Sequence, residues 1–176
     1  MTTVGLKGKI TKLLKSKGIC VCVTKAGNYH EVNKEILRQI SKNKTIYVSL
    51  NKSCENVVKD LKKDKISDKN FLFIDAKGKN YKEGNFISIA DPCALTQMSI
   101  AITTAANTGG FGSLFLDTLN TLLIYNDMKT SEKFTQYILN KLKSLNMDAV
   151  VMSIEEDKAK EIIALIAQIS DELVSI

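Results

Sequence analysis

Leu114-Phe-Leu116-Asp117-Thr118 joins three apolar residues to a carboxylate and then a hydroxyl. A short apolar run closed by polar turn residues has the form of a strand buried on both faces. Phe71-Leu-Phe-Ile74 followed by Asp75 repeats that form earlier in the chain. Around the two, apolar runs alternate with amphipathic stretches. Ile19-Cys-Val-Cys-Val23, bounded by Gly18 and Lys25-Ala-Gly-Asn28, predicts a first buried strand. Val32, Ile36, Leu37 and Ile40 follow at helical spacing, with Asn28 as N-cap and Glu31 completing a capping-box-like pattern. Ile46, Val48 and Leu50 alternate as a second strand, and Ser53 is placed to cap a helix carrying Val57, Val58 and Leu61.

The pattern continues beyond these elements. Phe86-Ile-Ser-Ile89 predicts a short strand, and Asp91-Pro92 an N-cap and first helical position for a helix with Leu95, Met98, Ile102 and Ala105. Thr130 is expected to open a helix carrying Phe134, Ile138, Leu142 and Leu145. Ala149-Val-Val-Met152 reads as the last strand, followed by a final helix with Ala159, Ile162, Ile163, Ile166, Leu173 and Val174. Strands alternating with helices imply βαβ units, so the expected fold is a three-layer α/β domain with a mostly parallel sheet flanked by helices. The 176 residues fit one domain, 1–176, with no repeat or linker. Its basic N-terminal segment, 1–17, is predicted to form a short edge helix through Ile10, Leu13 and Leu14.

Composition excludes several classes. At 44% hydrophobic and 25% charged, with nine Gly and one Pro, the chain is neither disordered nor of low complexity. No run of 18 apolar residues is present, which predicts no membrane insertion. The basic start lacks the apolar core of a signal peptide, and a cytoplasmic location follows. Cys20, Cys22, Cys54 and Cys93, with His30 as the single histidine, match neither a disulfide scaffold nor a zinc module. Cys20 and Cys22 are expected on one face of the first strand, as small buried hydrophobes.

Charge is unevenly spread. Residues 1–82 hold 19 Lys and Arg against 7 Asp and Glu; residues 83–176 hold 6 against 12. Such a half suggests nucleic acid or another acidic partner. Yet Arg38 is the only arginine, and no aromatics interleave with the lysines, so base recognition and single-strand stacking have little to work with.

Ligands of open α/β sheets bind beyond the carboxyl ends of the strands. After the first strand, Thr24-Lys-Ala-Gly-Asn-Tyr-His-Glu31 is too short to encircle a phosphate. Lys25, Gly27 and Asn28 are the residues there that a vestigial anion site would use. Leu114-Phe-Leu-Asp117-Thr118 has the Walker B form, in which the Asp holds Mg²⁺; the plainer reading is a strand-end carboxylate that caps a turn. Asp75 closes its strand in the same manner, and the two carboxylates are candidates to share a cation.

Thr45-Ile-Tyr-Val-Ser-Leu50, then Phe71-Leu-Phe-Ile-Asp75, and then Leu114-Phe-Leu-Asp-Thr-Leu-Asn-Thr-Leu-Leu-Ile-Tyr125 resemble, in order, the RecA-like ATPases of the KaiC type. The nearest resemblance is to archaeal relatives whose ATPase motifs have decayed, and it covers roughly residues 17–156. It implies a P-loop-NTPase-type core without a P-loop. Active members carry a Walker A loop after the first strand and a catalytic Glu after the second. Here those positions read Lys25-Ala-Gly-Asn-Tyr-His30 and Leu50-Asn51-Lys52, so of the three catalytic parts only Asp117 remains. The resemblance therefore implies a non-catalytic pseudo-ATPase, acting as an interaction or regulatory module with a protein partner or a second copy, and no cofactor. The alternatives are a nucleotide-binding sensor or ATPase using Lys25, Gly27 and Asn28 for phosphate and Asp117 for Mg²⁺, and a nucleic-acid-binding module on the basic first half.

Overall fold

The computed structural model describes residues 3–77, 81 and 84–176. Seven strands form one sheet: β1 (Ile19–Thr24), β2 (Thr45–Ser49), β3 (Phe71–Asp75), β4 (Phe86–Ser88), β5 (Ser113–Asp117), β6 (Asp148–Ile154) and β7 (Glu172–Ser175). Their order is β4-β3-β2-β5-β6-β1-β7, and every pair is parallel. The helices are α1 (Thr3–Lys15), α2 (Tyr29–Ile40), α3 (Cys54–Lys63), α4 (Leu95–Asn107), α5 (Leu119–Tyr125), α6 (Met128–Ser144) and α7 (Lys160–Ala167). The expected three-layer α/β architecture is present, with the sheet wholly parallel among the described residues.

Alternation along each strand sorts the core into two chemistries. Cys20, Cys22, Tyr47, Phe71, Phe73 and Phe115 face α1, α2 and α3, and the Tyr47 ring meets Phe115 edge-on at 5.2 Å. Ile19, Val21, Ile46, Val48, Leu114, Leu116 and Val151 face α4 to α7 through an aliphatic core rich in Ala. From β2 the chain moves toward β3 and β4, and from β5 toward β6. The boundary between β2 and β5 is thus the point where the connections diverge, and a crevice opens there.

Several expected details differ. Leu173 and Val174 belong not to the last helix but to β7, which pairs with β1, so Ala149–Met152 is not in the last strand. The helix stops because Ser170 and Asp171 turn the chain: Asp171 exchanges bonds with Ile19, its N–H donating to the Ile19 carbonyl at 2.7 Å and its Oδ2 accepting from the Ile19 N–H at 2.8 Å. Ile162 and Ile166 cover the sheet. α4 begins at Leu95 rather than Pro92, because Asp91 Oδ1 accepts from the Cys93 N–H at 2.6 Å and holds a turn there. α6 begins at Met128, capped by Asp127, whose side chain accepts from the Thr130 N–H at 2.9 Å. α1 spans Thr3–Lys15 with Ile10 and Leu13 buried; the Cys20 thiol of β1 donates to the Leu13 carbonyl at 3.5 Å, and the Ser16 hydroxyl just after the helix donates to Glu172 of the edge strand β7 at 3.4 Å. Residues 1 and 2 of the predicted 1–17 segment lie outside the described residues. Cys20, Cys22 and Cys54 are buried free thiols, as small hydrophobes would be.

Asp75 shows how strand ends are used. Ser53 stands at the N-cap of α3 but makes no side-chain capping bond. The cap comes from the neighbouring strand instead: Asp75 Oδ2 accepts from the Cys54 N–H at 2.7 Å and from the Tyr81 hydroxyl, while Oδ1 accepts from the Lys77 N–H at 2.8 Å. Asp75→Ala leaves a buried helix N–H without its acceptor, so chemical denaturation is expected to show a loss of about 2–3 kcal/mol with unchanged m-value. A loss below about 0.5 kcal/mol, the range of ordinary surface substitutions, would contradict this role.

Candidate functional site

The register of β5 directs Ser113, Phe115 and Asp117 to the aromatic face, so Asp117 points under the start of α2. β1 passes into α2 through a single 3-10 turn, Ala26–Asn28, which sets Tyr29 and Asn33 one helical turn apart on the side toward Asp117. β2 brings Tyr47 alongside Phe115 in register. These three elements close on one carboxylate. Asp117 Oδ1 accepts from the Tyr29 hydroxyl at 2.5 Å; Oδ2 accepts from the Tyr47 hydroxyl at 2.6 Å and from Asn33 Nδ2 at 3.0 Å. The Tyr29 oxygen in turn accepts from Asn33 at 3.1 Å and from Asn51 at 3.3 Å. The Asp117–Thr118 peptide is cis.

Electrostatics follow from burial. Asp117 is 2% exposed, and this burial pushes its carboxyl above the ordinary 3.8; the Tyr29, Tyr47 and Asn33 bonds and the Lys52 charge pull the other way. Burial also pushes the Tyr29 and Tyr47 phenols well above 10, reinforced by the Asp117 charge. Both phenols therefore remain donors throughout the physiological range.

The network forms the inner wall of a cavity of about 780 Å³ between α2 and α3, with Asn51 and Lys52 at one side and Val57 and Leu61 on the α3 side. That volume is in the range of small-molecule sites. Two ion pairs stand on its lining: Lys52 with Asp60, and Lys34 with Glu31 at 2.6 Å.

Of the candidate site residues Lys25, Gly27, Asn28 and Asp117, only Asp117 lies in this cavity. Lys25 and Gly27 are exposed in the turn after β1, and a Cβ on Gly27 would meet nothing within 4 Å, so no close approach requires a glycine there. The Asn28 N–H donates to the Lys25 carbonyl at 2.9 Å, closing the turn on itself. Asn28 holds the N-cap position without a side-chain bond, and Glu31 pairs with Lys34 instead of completing a capping box. Asp75 and Asp117 do not share a cation: β2 lies between their strands, which places them roughly 9–10 Å apart, and both are committed to other donors. Among the described residues no group of three or more His, Cys, Asp or Glu stands close enough to hold a metal.

Sequence reasoning missed Tyr29, Asn33 and Tyr47. The i, i+4 spacing of Tyr29 and Asn33 at a helix start was a readable signal; Tyr47 was not, because its neighbour Asp117 depends on strand order. Asn120, two residues beyond Thr118, proves to be a strut. Its Oδ1 accepts from the Ile154 N–H at 2.7 Å and the Ser153 hydroxyl at 3.0 Å, and its Nδ2 donates to the Ile154 carbonyl at 2.9 Å.

The raised carboxyl of Asp117 sets a sign for pH dependence. The folded chain holds that proton more tightly than the unfolded chain. The stabilisation is therefore complete below the ordinary 3.8 and is lost as pH rises through the raised value. Asp117→Asn is expected to flatten the fall in stability between acid and neutral pH, measured by urea unfolding across that range. Tyr29→Phe, which removes a bond favouring the charged form, should steepen it. Parallel pH curves for the native chain and Asp117→Asn would refute the assignment.

Sequence comparison adds no relative: the chain matches no known family model and no curated protein.

Proposed function

We propose that this chain is a RecA/KaiC-like pseudo-ATPase, a non-catalytic domain that acts as an interaction or regulatory module. One observation carries the reading: both oxygens of Asp117 are taken by Tyr29, Tyr47 and Asn33. A Mg²⁺ site needs carboxylate lone pairs open toward the ion, its waters and the phosphates. Here two phenol hydroxyls that stay protonated occupy them, and opening the site would strand buried donors at a cost of about 1–3 kcal/mol each. The surroundings agree. The closed turn at Ala26–Asn28 offers no wrap of backbone N–H groups to a phosphate. Asn51, where the resemblance expects a catalytic Glu, donates to Tyr29 and carries no charge to polarise a water. Phosphoryl transfer depends on positioning and charge stabilisation, so losing these parts removes the chemistry.

The size of the α2–α3 cavity favours a second reading, a nucleotide-binding sensor with Asp117 as its Mg²⁺ ligand. Calorimetric titration with ATP and ADP, with and without Mg²⁺, separates the two. The expected result is no binding tighter than about 100 μM, or about −5.5 kcal/mol, and no thermal stabilisation. Mg²⁺-dependent binding below that value, abolished by Asp117→Ala in a folded variant, would replace the pseudo-ATPase with the sensor.

A further inference from the structure

Tyr47 of β2 and Asp117 of β5 both line the α2–α3 cavity, which places it where the sheet connections diverge, the usual ligand position of open α/β sheets. The donors at its inner end are drawn onto Asp117 and Tyr29. Both phenol protons go to Asp117, and Asn33 Nδ2 is shared between Asp117 and the Tyr29 oxygen. Because the Tyr29 proton is committed, Asn51 must turn its nitrogen to that oxygen. Both amides therefore hold their nitrogens on the network and leave Oδ1 as an acceptor that meets no donor among the described residues. Asn33 is 8% exposed, yet the one sealed side-chain oxygen or nitrogen without a partner among the described residues is Ser131 Oγ. Asn33 Oδ1 is thus open to the cavity that its residue lines.

Charge points the same way. The chain carries +6, yet the cavity is lined by Glu31, Asp60, Asp64 and Asp117 against Lys34, Lys52 and Lys63. Lys34 and Lys52 are held by Glu31 and Asp60. Asp117 meets three neutral donors, so it is a buried charge with no cation in contact. Leu37, Val57, Leu61 and Ile66 add an apolar stretch to the lining. We propose that the α2–α3 cavity binds a small organic cation, an ammonium or guanidinium group on an apolar body. The head donates to Asn33 Oδ1 and Asn51 Oδ1, favoured by the Asp117 charge that Asn33 contacts, and the body lies on the aliphatic residues. A phosphate or carboxylate would meet acceptors where it needs donors. The inference goes beyond the pseudo-ATPase reading, since it needs only that the network around Asp117 stay closed, and it gives a regulatory module a small-molecule signal.

Calorimetry and NMR of the full chain with three probes of similar size test it: 2-phenylethylammonium, neutral 2-phenylethanol and anionic 3-phenylpropionate. The ammonium is expected to bind with Kd below about 1 mM and to shift the Asn33 and Asn51 side-chain amide signals. The alcohol should bind at least about tenfold more weakly and the carboxylate more weakly still. Asn51→Leu, at an exposed position, should weaken the ammonium by about tenfold while thermal stability holds. Asp117→Asn should bring its affinity down to that of the alcohol; where that variant fails to fold, Asn51→Asp supplies the same test by adding charge, and should tighten the ammonium alone. Nα-acetyl-lysine N-methylamide, which presents the head as a protein side chain would, should bind no tighter than the free amine. No saturable ammonium binding up to about 20 mM, equal affinity for the alcohol, or shifts confined to residues outside the cavity overturns the proposal. Tighter binding of the lysine amide overturns the choice of a free small molecule. Failure of the amine in a chain that also ignores nucleotides leaves the pseudo-ATPase reading in place; Mg²⁺-dependent nucleotide binding beside intact amine binding does the reverse.

Discussion

A carboxylate buried at the junction of β5, β2 and α2 must be given donors, and the architecture around Asp117 is arranged to supply them. An unpaired charge at 2% exposure would shift its proton equilibrium or open the structure. Tyr29 and Asn33 satisfy it from the first turns of α2, and Tyr47 from the middle of the sheet. These bonds fix where α2 starts relative to the sheet, which in turn limits the passage from β1 to one short turn. The absence of a phosphate-wrapping loop and the capture of the aspartate are therefore two sides of one arrangement. A longer loop would move Tyr29 away from Asp117 and leave the carboxylate without its shortest bond.

Asp75 and Asp117 end their strands identically in sequence and meet different fates. Asp75 takes backbone N–H groups at Cys54 and Lys77 and acts as a helix cap supplied from the next strand. Asp117 takes side-chain donors from two elements and acts as a clasp. The difference lies in neighbours. β3 stands beside β2 where the start of α3 presents a backbone N–H to Asp75, whereas Asp117 at the end of β5 meets side-chain donors from α2 and β2. At the point where α/β folds bind ligands, this chain has placed phenols.

The strands were legible because burial on both faces leaves continuous apolar runs: Ile19–Val23, Phe71–Ile74 and Leu114–Leu116 need no tertiary context to be recognised. Helices with broad apolar stripes were legible for the same reason. Their starts were less so, since Asn28 and Ser53 hold cap positions without capping and the bond to Cys54 comes from Asp75, far along the chain. β7 was invisible because four residues of an edge strand contain two apolar side chains, which fit a helical stripe equally well. Of the site, Asp117 was readable from its strand-end position, whereas Tyr47 became its partner only through a strand order that alternation does not encode.

Strand order has a consequence for synthesis. β1 is made before the other six strands of this sheet, yet its two neighbours are β6 and β7, so its hydrogen-bonding edges wait for residues 148–175. During that interval Ile19-Cys-Val-Cys-Val23 is an uncharged, β-branched segment with both edges open, the type that pairs with its like in neighbouring nascent chains. β2, β3 and β4, which pair consecutively, can assemble much earlier. Half of the sheet thus forms from near neighbours while the other half waits for a long-range closure, a division that favours slow folding. The basic α1, whose Leu13 carbonyl meets Cys20, is made just before β1 and is its nearest available shield.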